Sequence, residues 1–196
     1  MNMKNKSFRN FLSAESGIAA IEIALILPFM LLMFFGLVDV TDMVSYNRRI
    51  TSVASAVGDL TGQNRTNVLQ TDINDYFKAA TLIMNPKSDS GVRVTVFGFR
   101  KNGTNVDQKW TITNGKGTAC TPPNKTLMAP LMTAGNDLVV SQACMAYKPL
   151  VANLLGTSIL GASSFTIQQN ITLRPRSSLK LDCYTTSALS TACPAT

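Results

Sequence analysis

The 196-residue sequence contains no histidine, so it lacks the side chain most often used as a general base and as a neutral metal ligand. Most hydrolase triads and most zinc sites are thereby excluded. Charge is scarce as well: 15% of residues are ionisable, against roughly 25% in average soluble domains. Glutamate is nearly absent, with Glu15 and Glu22 the only two, both in the first 22 residues. Cysteine is missing from the N-terminal half, the first being Cys120, and this excludes a lipoprotein anchor. There is no P-loop and no strand-linked G-x-G-x-x-G. A lone S-x-x-K, Ser177 to Lys180, has no second catalytic element beside it, and Asp72 and Asp75 read as acids near a helix start. The expectation is a protein that is not an enzyme and takes no cofactor or metal.

Apolar residues, at 45%, are concentrated. From Ile18 to Val38 runs IAAIEIALILPFMLLMFFGLV, whose single ionisable member is Glu22. Twenty-one residues at about 1.5 Å each span a bilayer core of about 30 Å as a helix. A cleavable secretory signal has a shorter apolar region followed by a small-x-small site, whereas Asp39, Val40, Thr41 and Asp42 follow here. Lys4, Lys6 and Arg9 precede the run, and Asp39 and Asp42 close it, which predicts a cytoplasmic N-terminus and an outward C-terminal remainder. The four cysteines, Cys120, Cys144, Cys183 and Cys193, have no zinc spacing and imply disulfides, hence an oxidising compartment. Three pairings are open; Cys120 with Cys144 and Cys183 with Cys193 are favoured as nearest in sequence. The net charge is +7, but the cations after residue 40 are scattered singly, with only Arg48-Arg49 and Arg100-Lys101 adjacent, so nucleic-acid binding is not expected.

Past the span, Val40, Met43, Val44, Ile50, Val53, Ala54, Val57 and Leu60 draw one apolar stripe at helical spacing, with Asp42, Asn47, Arg49 and Ser52 off it. Gly62 is the terminator. A single helix from Ile18 to Thr61 would be 44 residues, roughly 66 Å. Pro28 removes one N–H and predicts a bend. A second helix is expected over Thr71 to Met84, with Thr71 as N-cap. Alternation at Val92, Val94 and Val96 predicts a strand, and Lys101 to Thr104 a turn to a partner around Gln108 to Thr113. Asn114 to Asn136 reads as a long loop, and Asp137 to Tyr147 and Ser164 to Leu173 as strands flanking an apolar segment, Pro149 to Leu160. The fold class is therefore α+β: a long N-terminal transmembrane and spine helix followed by a small antiparallel sheet of about four strands. The expected boundaries are a leader at 1–17, the span at 18–38, a helix extension at 39–62, an outward α+β domain at 63–176 and a disulfide-bearing extension at 177–196.

Gly17 followed five places on by Glu22, between a basic leader and an apolar helix, resembles the prepilin peptidase site of type IV pilins. More narrowly, SGIAAIEIALILPFMLLMFFGLVDV resembles the start of TadE-like minor pseudopilins of tight adherence (Flp) pili. Ile23 departs from the aromatic common at the sixth mature position. Tyr147, Pro149, Leu150, Arg174, Pro175 and Arg176 carry a looser likeness to the end of TadE-like domains.

The resemblance implies a pilin-like fold, cleavage between Gly17 and Ile18, and Glu22 as the charge that sets register against an Ile18 ammonium. It also implies a bacterial inner-membrane protein, N-in and C-out, with a periplasmic domain that is retained there or carried into an extracellular pilus. Its partners would be the membrane, a prepilin peptidase, other pilus subunits and the assembly platform. Cleavage would leave a side-chain charge of +5 and Glu22 as the sole glutamate. The alternative is an uncleaved, membrane-anchored periplasmic binding module of a secretion or adhesion system.

Overall fold

The computed structural model describes residues 15–65, 67–84, 91–151, 164–176, 178–185 and 192–194, with side chains from residue 20 onward. Most of the leader, most of the 149–160 segment and Ser177 lie outside the described residues. Helix α1, Glu15–Gly62, is 48 residues long, a few residues longer at its start than expected, and Pro28 lies within it. Strand β1, Asn67–Leu69, leads directly into helix α2, Gln70–Met84. Thr71 is thus inside the helix and not its N-cap, because the chain enters α2 straight from a paired strand. A hairpin follows, β2 at Val92–Asn102 and β3 at Asn105–Asn114, longer on its second arm than the alternation alone suggested. Gly103, at φ 60°, supplies the left-handed position of its turn.

The remaining elements are a short helix α3, Lys125–Met128, a 3-10 turn at Ala129–Leu131, and strands β4, Asp137–Tyr147, β5, Phe165–Leu173, and β6, Asp182–Tyr184. The expected long loop from Asn114 to Asn136 is therefore partly helical. Asn124 starts α3 by accepting the Thr126 amide on its side chain, at 2.9 Å.

The main sheet is antiparallel, ordered β3-β2-β4-β5. A second, two-stranded sheet pairs β1 with β6 in parallel, so the C-terminal tail is built into the fold and does not merely extend from it. The chain forms two compact units, one of residues 1–42 and 149–163, the other of 43–148 and 164–196.

In the second unit, strand alternation gives both faces of the sheet an apolar set. Val94 and Val96 of β2 and Val139, Ala143 and Met145 of β4 share a core with Ile50, Val53, Ala54 and Val57 of α1 and with Ile73, Phe77, Ala80 and Met84 of α2. Phe97, Phe99, Leu138 and Val140 form another cluster, closed by Met128 and Met132 from the α3 region. The apolar stripe of α1 is therefore two things: Val40, Met43 and Val44 are exposed, and burial starts at Ile50.

The second half of α1 is thus part of the domain core. Ile50, Val53 and Val57 are fully buried, and burying such a side chain stabilises by about 1.5 to 3 kcal/mol. Three of them approach the whole stability of about 5 to 15 kcal/mol that a domain possesses. A fragment starting at residue 63 is expected to show no cooperative melting transition, whereas one starting at Met43 should melt cooperatively. Thermal unfolding followed by near-UV circular dichroism distinguishes the two.

Disulfides join Cys120 to Cys144 and Cys183 to Cys193. The first fastens the 114–136 segment to the outer face of β4, where Gln142 also donates to the Thr121 carbonyl, at 2.6 Å. The second closes the tail, whose Cys193 amide donates to the Cys183 carbonyl, at 3.0 Å.

Candidate assembly surface and ionic anchor

The first half of α1 is the most unusual surface of the chain. Every described residue from Ala20 to Phe34 is exposed, although the stretch consists of Ile, Leu, Phe, Met and Ala around Glu22 and Pro28. A helix that is apolar all round and unburied belongs in lipid or among other helices. Its length and composition suffice to cross a membrane. Gly17 and Ile18 fall near its start in helical backbone, and Glu22 projects one turn further on as the sole ionisable residue up to Val38. Pro28 cannot donate to the carbonyl of Ala24, which leaves one acceptor open to a neighbour in the middle of the run.

Asp39 ends the apolar run and is buried, at 8% exposure. One carboxylate oxygen accepts the Leu150 amide, at 2.7 Å, and the other the Val151 amide, at 2.8 Å. Sequence reasoning used Asp39 only as a flanking charge. The available signal was its place directly after the run, combined with Pro149 introducing another apolar stretch.

In the second unit the densest electrostatics surround Arg100. Its Nε donates to Asp137, at 2.6 Å, and its Nη2 to the other oxygen of Asp137, at 2.7 Å, and to Asp182, at 2.9 Å. Asp137 also accepts the Leu181 amide, at 2.6 Å, and its own amide donates to the Leu179 carbonyl, at 2.8 Å. The Asp137 hydrogen bond, opposed by desolvation and reinforced by Asp182, holds the guanidinium pKa above its ordinary value. The group ties the tail to the ends of β2 and β4. It is a structural anchor that the sequence, with Arg100, Asp137 and Asp182 far apart, did not signal. Beside it Trp110 donates its indole N–H to the Leu181 carbonyl, at 2.9 Å. Nearer α1, Arg176 pairs with Asp59 and its amide donates to the Gly62 carbonyl, at 3.0 Å.

The remaining acids are ordinary. Asp72 lies in the first turn of α2, and Asp75 pairs with Lys78 three residues on, at 2.7 Å on an exposed face. Among the described residues no group of three His, Cys, Asp or Glu side chains could hold a metal ion. A cavity of about 370 Å³ lies beside α2, lined chiefly by Val53, Phe77, Met84 and Val94, with Thr81, Asn114 and Lys116 as its polar members.

A bare apolar helix that suits a membrane anchor, the one such helix among the described residues, is carried by the same chain as a disulfide-bonded α+β domain. Residues 17–59 are similar to the family model described as TadE-like protein. The match ends within α1 and leaves the sheet domain uncovered. No curated protein and no solved structure matches the chain.

Proposed function

We propose that this chain is a minor pseudopilin, inserted N-in and C-out in a bacterial inner membrane, cut after Gly17 by a prepilin peptidase and used in building or priming a Tad pilus. The observation that carries the reading is Glu22, a single carboxylate on an exposed apolar helix, five places beyond Gly17 within the TadE-like segment. After cleavage the Ile18 ammonium and a Glu22 carboxylate, of the same or a neighbouring subunit, neutralise each other. In an apolar bundle the pair offsets its desolvation only with close geometry, so it acts on register more than on net stability. The exposed face from Ile21 to Phe34 is then the assembly surface, the sheet domain faces the periplasm, and the chain's role is structural and not enzymatic.

Protein recovered from the envelope should begin at Ile18 by N-terminal sequencing. Glu22→Ala should still be cut yet assemble poorly, with surface pili falling by about tenfold, the equivalent of roughly 1.4 kcal/mol in subunit association. Intact Met1 or Asn2 termini in a strain with active peptidase would overturn the processing step. The cavity beside α2 favours a second reading, an uncleaved binding module. Under it a soluble domain starting at Met43 keeps its ligand, whereas the pseudopilin reading requires activity to be lost when Ile18 to Val38 is replaced by an unrelated span.

A further inference from the structure

We propose that Asp39, Leu150 and Val151 form a bilayer contact, a carboxylate-clamped corner that seats Leu150 in the outer edge of the membrane that Ile18 to Val38 crosses. The inference rests on reading that run as the membrane anchor. At about 1.5 Å per residue the run matches the hydrocarbon thickness, which puts Asp39 at headgroup level. A carboxylate there, at the margin of water, loses solvation unless donors replace it. The two amides do so, with charge-assisted bonds to both oxygens.

The benefit is mutual. Leu150 and Val151 are helical residues directly after Pro149, where backbone N–H groups have no helical carbonyl to bond. In a water-poor interface such donors would be costly, and Asp39 satisfies both. What remains at the corner is apolar: Leu150 is 51% exposed, and no residue from Pro149 to Leu173 is ionisable. Asp39, Leu150 and Val151 belong to the same compact unit as the apolar half of α1, so the corner is continuous with the surface assigned to lipid.

The test uses the full chain in vesicles of phosphatidylethanolamine and phosphatidylglycerol, with a nitroxide lipid as quencher. All four native cysteines are bridged, so Leu150→Cys offers a single thiol for an environment-sensitive NBD label. If the corner lies about 5 to 10 Å into the interface, emission should shift to the blue and be quenched by about twofold or more. Asp39→Leu lengthens the apolar run but removes the clamp, and should at least halve that quenching. A chain that resists carbonate extraction yet carries a water-like, unquenched label overturns the proposal. Quenching unchanged by Asp39→Leu overturns the clamp. Release of the chain by carbonate overturns the anchor reading itself, and the corner with it.

Discussion

Replacing Arg100 by alanine is expected to lower the unfolding free energy of the sheet domain by about 3 to 5 kcal/mol, the usual cost of removing one partner from a buried ion pair. The Asp137 side chain is 3% exposed and Arg100 17%, so little water is available to re-solvate the carboxylate left behind. Asp182 is half exposed and its share is small. Arg100→Lys should recover less than half of the loss, because an ammonium cannot engage both oxygens of Asp137 in a planar fork. The guanidinium pKa is raised on folding, so its contribution is complete at every pH below the ordinary arginine value and declines only above it. The Arg100→Ala deficit should therefore not vary with pH through deprotonation of the arginine near neutrality. Urea unfolding of wild type and variants measures all three quantities, and a deficit below about 1 kcal/mol would reduce the cluster to surface decoration.

The second large effect is expected at Gly98. A Cβ built there would stand 2.2 Å from both Cε2 and Nε1 of Trp110, its neighbour across the β2-β3 pair. The indole has no room to retreat: it is 2% exposed and its N–H is committed to the Leu181 carbonyl. The strand irregularity between Gly98 and Phe99 lies at the same place, so the backbone is already adapted to the ring. Gly98→Ala should cost about 3 kcal/mol, the upper end of overpacking. Trp110→Leu alone should cost a similar amount by loss of volume and of the indole bond. The double variant should be more stable than the sum of the two implies, by about 1 kcal/mol or more, because the smaller side chain admits the new methyl group. Strict additivity in that cycle would rule out the steric explanation.

Both sites lie where the sequence was not readable, in contrast to the elements that local patterns specify. The apolar run, the stripe from Ile50 to Val57, the alternation in β2 and the turn at Gly103 are local periodicities, and each became the element its pattern implied. Glu22 was visible as a charge where none belongs. The Arg100 anchor could not be read, since Asp137 and Asp182 lie 37 and 82 residues away, and nothing local distinguishes them from other surface acids. Nothing local sets Gly98 apart from any other strand glycine; its constraint comes from Trp110 across the strand pair. The parallel pair β1 and β6 consists of three residues each, too short for any alternation to register, and it exists because distant segments meet. Asp39 lay between these extremes: its position was conspicuous, but its partners were 111 and 112 residues on.

The β1-β6 pair also imposes an order of events on the chain. Asn67 meets Asp182 and Val68 meets Cys183, contacts separated by 115 residues. Val68 is fully buried in the core that also holds Leu181, Cys183 and Cys193. Synthesis runs from the N-terminus, so the hairpin and both long helices emerge well before the strand that seals this part of the core. Loop closure over so long a distance is entropically late. The domain therefore stays open on one side until β6 arrives, and a truncation before Asp182 would leave the long described elements intact and the fold unfinished.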